Sequence, residues 1–304
     1  MNILGKRYIF FGLSLLIIVT GLIALFAAGV PLSIDFTGGS LLELKFASAS
    51  PKPAEILAVY EATNIGDAQV QTVGSGTYSI RSAFLDNDQR AAVLAALTEK
   101  YGESDVIRFD SVGPSIGQQV TSRGALAIAI ASILVVLFIA WSFRGVENAF
   151  RYGICAIFAM IHDVLIIFAI TGFGALLFGW QINSLFLTAL LTVIGFSMQD
   201  TIVVFDRIRE NSGIYRRLEF ETLVNHSIVQ TLQRSINTQL MTVEFLLLSL
   251  ILLGGATLQE FAAVLLVGLL SGTYSSIFIA APGLVVWEKR EWRTWFKRKG
   301  HAQA

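Results

Sequence analysis

Five ionisable residues, His162, Asp163, Asp200, Arg234 and Glu244, stand inside long apolar stretches, and Glu260 lies near the end of another. Asp200 is the sharpest case. In GFSMQDTIVVFDRIREN, Gly195 to Asn211, it follows one apolar run and precedes Ile202, Val203, Val204 and Phe205. Charged groups in such surroundings are costly, and they face a bundle interior or a watery path. Two readings of Asp200 stand open. In one it is a helix-end residue at a membrane surface, served by Arg207 and Arg209. In the other it binds and releases protons, because a carboxyl caught between burial and a nearby arginine can switch its charge. One charge moved across 100 mV is worth about 2.3 kcal/mol, enough to shift a two-state packing of helices. Gln199 and Thr201 flank it as auxiliary polar groups.

The neighbours of these residues fall on helical faces. At about 100° per residue, Ser184, Thr188, Thr192, Gly195 and Gln199 form one stripe with Asp200 at its edge. Arg234, Thr238, Thr242 and Ser249 form another, so Asp200 and Arg234 are expected to meet. Gly268, Gly272 and Ser276 are four apart, as are Ser271 and Ser275, and such small-residue steps allow close helix contact. The adjacent His162 and Asp163 point about 100° apart, which favours polar contacts between helices over a shared proton path. Glu244 is either a second relay group or a protonated acid paired with Asn237.

The elements that must carry these residues follow from composition. The 304 residues are 54% hydrophobic and only 14% charged, with formal net charge zero, and the mean hydropathy is +0.67. Soluble domains carry roughly 25% charged residues, so an integral membrane protein is expected. Six runs are long enough to span, at 8–30, 124–143, 152–180, 182–205, 236–255 and 261–287. The first follows Lys6-Arg7 and ends near Ala27-Ala28-Gly29, which resembles a cleavage site. It exceeds the roughly 7–15 residues of a signal's apolar core, so a retained anchor is expected. Every basic cluster between or beyond the spans falls on one side: Lys6 and Arg7, then Arg144 and Arg151, then Arg207, Arg209, Arg216 and Arg217, then the tail from Lys289 to Lys299. Positive charge marks the cytoplasmic side, so both termini are expected there. The lone Cys155 allows no internal disulfide and reads as a packing residue.

The segment at 31–121 must then lie outside. LLELKF, VQTVGSGTYSIRSAF and DVIRFDSV read as strands, with a hairpin at Gly74-Ser75-Gly76. PAEILAVYEA and NDQRAAVLAALTEKYG read as helices. The order β-α-β-β-α-β is the ferredoxin-like split pattern. It holds no metal-ligand cluster, no nucleophile with a base and no phosphate loop, since Gly38-Gly39 lacks the helix and lysine that a phosphate site needs. A binding or force-transmitting module fits it better than an enzyme. The expected division is 1–30 for the N-terminus and first span, 31–121 for the outside domain, 122–287 for the remaining spans with a cytoplasmic loop at about 206–233, and 288–304 for a basic tail.

SIDFTGGSLLEL, with Asp35, Gly38 and Gly39, resembles the motif that follows the first span in SecD and SecF subunits of the bacterial Sec protein translocase. SVGPSIGQ, with Gly113, Pro114 and Gly117, resembles the motif that closes their outside domain. HDV, GFSMQDTIVVFDRIREN, VQTLQRSINT and GTYSSIFIAAP resemble SecF in particular, and the likeness runs in order from Asp35 to Pro282. The resemblance implies a six-span half of an RND-type transporter in the bacterial cytoplasmic (inner) membrane, with no cofactor and no nucleic acid. Its implied partners are SecD, the SecYEG channel, SecA and accessory translocase subunits, an unfolded preprotein and membrane lipid. The pair would use the proton-motive force to promote late steps of translocation after SecA. By place in the motifs, Asp200 resembles the family's proton-carrying aspartate, Arg234 its basic partner and Asp163 a supporting polar residue. Glu244 and Val229-Gln230 depart from the pattern. Two rival readings are a non-transporting scaffold for the translocase and a half-size RND exporter of lipids or small molecules.

Overall fold

The computed structural model describes residues 3–291 and 293 apart from 48, 74, 75, 145–147 and 254, with backbone alone at 73, 242–249, 251, 253, 256 and 257. It divides into two units, Leu32–Leu126 and the remainder of the chain.

The smaller unit begins with a single helical turn, α2 (Ile34–Thr37), after the first long helix α1 (Arg7–Ala27). Then come β1 (Gly39–Phe46), α3 (Pro53–Ala62), β2 (Gln69–Val73), β3 (Thr77–Ser82), α4 (Asn87–Tyr101) and β4 (Ser104–Val112). The helices start where their sequences provide caps. Pro53 occupies the first turn of α3. Asp86 Oδ1 accepts from the Gln89 amide at 2.7 Å while Gln89 Oε1 accepts from the Asp86 amide at 3.1 Å, a reciprocal cap at α4. The sheet order is β2-β3-β1-β4 with antiparallel neighbours throughout. Alternation in β1 and β3 turns Leu42, Leu44, Phe46, Tyr78 and Ile80 onto Ile56, Val59 and Tyr60 of α3 and Val93 and Leu97 of α4. Each such fully buried side chain contributes roughly 1.5–3 kcal/mol.

The two glycine motifs meet at the base of this unit. Gly38 and Gly39 have φ of +72° and +118°, a backbone region that favours glycine. Gly113 accepts at the start of the next helix from the amides of Ile116 and Gly117, at 3.0 and 3.1 Å. A side chain on Gly117 would come within 2.8 Å of the Gly38 nitrogen, and one on Gly38 within 3.0 Å of Pro114 Cα. Asp35 lies in α2, where its amide donates to the Ser33 hydroxyl at 3.2 Å.

The larger unit consists of α1 and the helices α5 (Pro114–Ser142, from residue 127 on), α6 (Ala149–Phe178), α7 (Ser184–Ile214), α8 (Phe220–Leu253), α9 (Ala256–Ser275) and α10 (Ala281–Glu288). A π-helical stretch, Ser276–Ala280, joins the last two. Helix α5 begins at Pro114 rather than near residue 124, because proline suits a first helical turn and the polar residues after it continue the helix. Among the described residues five helical stretches are long and apolar enough to cross a membrane: Leu4–Ala27, Pro114–Ser142, Ala149–Phe178, Ser184–Ile214 and Leu258–Glu288. The fifth of the six expected spans falls in α8, where most of its apolar side chains lie outside the description. Helix α6 ends at Gly179, φ +72°, with Trp180 donating back to the Gly174 carbonyl at 3.2 Å. Asn183 then caps α7 by accepting from the Phe186 amide at 2.9 Å. The expected loop at 206–233 is mostly the ends of α7 and α8 with a short turn between them.

Candidate functional site

The polar residues that face inward are not the stripes expected from the sequence. On α7 the buried polar residues are Ser197, Asp200, Thr201 and Asn211, whereas Ser184, Thr188 and Gln199 are exposed. Thr188 and Thr192 satisfy themselves on the carbonyls of Ser184 and Thr188, at 3.3 and 2.7 Å. On α8 the buried set is Ser227, Thr231, Ser235 and Gln239, spaced by four, and Arg234 and Thr238 are exposed. Burying a guanidinium costs far more than burying an amide or hydroxyl, so the helix turns the smaller polar groups inward. Thr242, Glu244 and Ser249 lie outside the described side chains.

Asp163, on α6, is 1% exposed and accepts four hydrogen bonds. Its Oδ1 faces His162 Nδ1 at 3.0 Å and Ser271 Oγ at 2.6 Å. Its Oδ2 accepts from Ser197 Oγ at 2.5 Å and Ser275 Oγ at 2.6 Å. Adjacent side chains on α6 were expected to point apart, yet the His162 ring reaches its neighbour's carboxylate. The same ring stacks on Tyr274, centroids 6.0 Å apart, and its Nε2 is buried without a partner among the described residues. One carboxylate thus ties α6 to α7 and α9.

Asp200 is 7% exposed in the body of α7, not at its end. Its Oδ2 accepts from Thr273 Oγ1 at 2.8 Å and from Gln239 Nε2 at 3.3 Å, which joins α7 to α9 and α8. No donor among the described residues faces its Oδ1. Asp200 thus does not lie at the end of α7, and Arg207 and Arg209 are engaged elsewhere: Arg207 with Gln230 and Glu210, Arg209 with Asp206. The expected contact with Arg234 is also absent among the described residues. Arg234 precedes Gln239 by five residues, about 140° around the helix, so only one of them can face Asp200. Arg234 and Asp163 are nonetheless near enough for their charges to act on Asp200. Arg234, Gln199 and Met198 help line a mostly apolar cleft of about 540 Å³ between α5 and α7.

The small residues of α9 make this arrangement possible. A side chain on Gly272 would lie 3.1 Å from Ser197 Cα, and one on Gly268 would meet Val193 and Ile167. With α9 this close, Ser271 and Ser275 face Asp163 while Thr273 faces Asp200. The small-residue steps were legible in the sequence, and their hydroxyls' carboxylate partners were not. Thr201 is fully buried and its Oγ1 has no partner among the described residues. Glu260 accepts from the Gln181 amide at 3.0 Å, between α9 and the α6–α7 connection.

Residues 92–290 match the family described as protein export membrane protein SecD/SecF, C-terminal. Residues 23–49 match the SecD/SecF GG motif. A protein translocase subunit SecF from Anaerolinea thermophila is 62% identical over 300 residues, covering 98% of this chain and 97% of that protein. Another from Thermobaculum terrenum is 42% identical over 313 residues, with 98% and 97% covered. The crystal structure of SecDF, a translocon-associated membrane protein from Thermus thermophilus, is similar with a TM-score of 0.79 and 31% identity, covering 95% of this chain. This chain spans 39% of the length of that one.

Proposed function

The chain belongs to the SecD/SecF family of protein-export membrane proteins, and from that premise we propose that it works as the SecF-type half of a proton-driven export device. With a SecD-type subunit it draws unfolded preprotein outward through the SecYEG channel after SecA has begun translocation. The observation that carries this reading is Asp200: a buried carboxylate at the meeting of three helices, with one oxygen bonded and the other without a donor among the described residues. Ionised, it accepts from Thr273 and Gln239 and holds α7 against α9 and α8. A proton arriving from outside removes the charge and weakens both bonds, so the helices repack. The membrane potential supplies roughly 2.3 kcal/mol per charge per 100 mV for this cycle. Arg234 sets the electrostatic background from the cleft, and Asp163 supports the site by fixing the surrounding helices. Gln199, Thr201 and Glu244 are auxiliary.

The rest of the reading follows the family. Six spans cross the bacterial inner membrane, with both termini and the basic tail at 288–304 in the cytoplasm. The outside domain is ferredoxin-like, a reading that its β-α-β-β-α-β order and its β2-β3-β1-β4 sheet support. It transmits the repacking through the chain that continues from β4 into α5.

The test uses membrane vesicles containing this chain, its SecD-type partner and the translocase. A preprotein is stalled after ATP-driven entry and a proton gradient is then imposed. Completion of export with the unaltered chain and its loss with Asp200→Asn at equal abundance is the expected result. Equal completion by both would sink proton coupling at Asp200 and leave a translocase scaffold as the function.

A further inference from the structure

Gln239 is the described residue of α8 that hydrogen-bonds Asp200. It is 5% exposed, its Nε2 donates to Asp200 Oδ2 at 3.3 Å, and its Oε1 is buried with no partner among the described residues. An unpaired buried amide oxygen is an acceptor free to receive a hydrogen bond. A protonated Asp200 changes the accounting. The carboxylate is acceptor-only, whereas the acid carries an O–H that needs an acceptor. A primary amide presents a donor at one end and an acceptor at the other, and half a turn about its terminal bond exchanges them.

We propose that Gln239 is a positioning residue that follows the protonation of Asp200 by an amide flip, donating to the carboxylate and accepting from the acid. This rests on the reading of Asp200 as the proton carrier. The proton resides on an Asp200 oxygen throughout, and only the direction of one hydrogen bond reverses. After the flip Nε2 takes the place of Oε1, so the unpaired end of the amide changes from acceptor to donor and the flip is driven by the acid's need for an acceptor. The charged groups acting on Asp200 are Arg234 from α8 and Asp163 from α6; α9 faces it with the neutral Thr273. None of these presents an unpaired oxygen as Gln239 does. Asp163, with both oxygens occupied, is not arranged to reverse a bond in this way, whereas the Thr273 hydroxyl can accept as well as donate by rotating and so needs no exchange of atoms.

The experiment is infrared difference spectroscopy between high and low pH on the full chain reconstituted with its partner, with the side-chain carbonyl of Gln239 alone isotopically labelled. Expected is a carboxylic-acid band that Asp200→Asn removes, accompanied by a shift of a labelled amide band. Gln239→Met, similar in length and apolar, should move the acid band to higher frequency and abolish the amide shift. Proton-driven export should fall on the order of tenfold, the equivalent of one lost buried hydrogen bond. An acid band sensitive to Asp200→Asn with no accompanying amide shift overturns the flip while leaving Asp200 as carrier. No such acid band overturns both. The labelled-band measurement needs no substitution at Gln239, so the proposal stays testable if Gln239→Met fails to assemble.

Discussion

Asp163 accepts four hydrogen bonds on its two oxygens, whereas Asp200 accepts two on one oxygen and none from a described residue on the other. Four donors occupy essentially every lone-pair direction of a carboxylate, so the protein itself replaces the water around Asp163. Hydrogen bonds to a charged group are worth about 1.5–3 kcal/mol each. Asp163→Asn exchanges one acceptor oxygen for a donor that must face hydroxyls already donating. It should destabilise the membrane unit by about 2–3 kcal/mol. Asp200→Asn keeps one oxygen for Thr273 and Gln239 and should cost less than about 1 kcal/mol. Thermal unfolding of the two variants in detergent checks the ordering, and equal losses would mean that the Asp163 cluster does not hold the helices. The sequence pointed to both aspartates because carboxylates are conspicuous among apolar residues. Thr273, Ser197 and Gln239 passed unremarked as partners because uncharged polar residues in apolar helices look alike whether or not they bind a carboxylate.

At the scale of elements, the helix ends are tied together by charge. Glu221, in the first turn of α8, faces Arg7 at 3.0 Å and also pairs with Lys289, just beyond α10. Lys289 meets Glu219 at 2.8 Å, and Arg7 meets Glu291 at 2.5 Å. The hydrogen bond from Lys289 holds the Glu221 carboxyl below its ordinary 4.5. Bonds to Glu219 and Glu221 push the Lys289 amine above its ordinary 10.5. A depressed carboxyl stabilises the fold above its unfolded value and loses that contribution as pH falls through the folded one. A raised amine stabilises below its unfolded value and loses that contribution as pH rises through the folded one. The tie should therefore hold between about pH 4.5 and 10.5 and loosen on either side. Amide hydrogen exchange at 215–224 should quicken at acid pH beyond its intrinsic rate, and Glu221→Gln should show the faster exchange already at neutral pH. Unchanged protection in that variant would assign the ordering of the α8 start to packing alone. Helix periodicity made the faces of α7 and α8 legible, but not which face points inward. Arg234/Thr238 and Ser235/Gln239 are neighbouring stripes on one helix, and the outcome depends on which side chains are cheaper to desolvate.

The whole molecule joins two units that fold for different reasons. In the smaller one, strand alternation and caps specify the structure locally, and α3 begins and ends where the sequence indicated, at Pro53 and Ala62. In the membrane unit, apolar length gives the helices, but the site arises from contacts among α6, α7, α8 and α9 that lie far apart in sequence. Only the glycine and serine steps of α9 hinted at those contacts. If export depends on the smaller unit as well as on Asp200, damage confined to it should abolish export with the membrane site intact. Gly39 offers that damage. Its φ is +118°, and a Cβ there would stand 2.6 Å from the Ser82 carbonyl oxygen of the neighbouring strand. Gly39→Val combines a strained backbone with a clash against an atom that cannot swing away, each costing on the order of 1–3 kcal/mol. Expected is partial opening of the sheet, read as faster hydrogen exchange in β1 and β3, with loss of proton-driven export. The carboxylic-acid band of Asp200 should remain as in the unaltered chain. Retained export despite an opened sheet would confine the working part of the chain to the membrane unit. Loss of the acid band together with the sheet would instead make the two units a single folding unit, and export would then report stability rather than transmission.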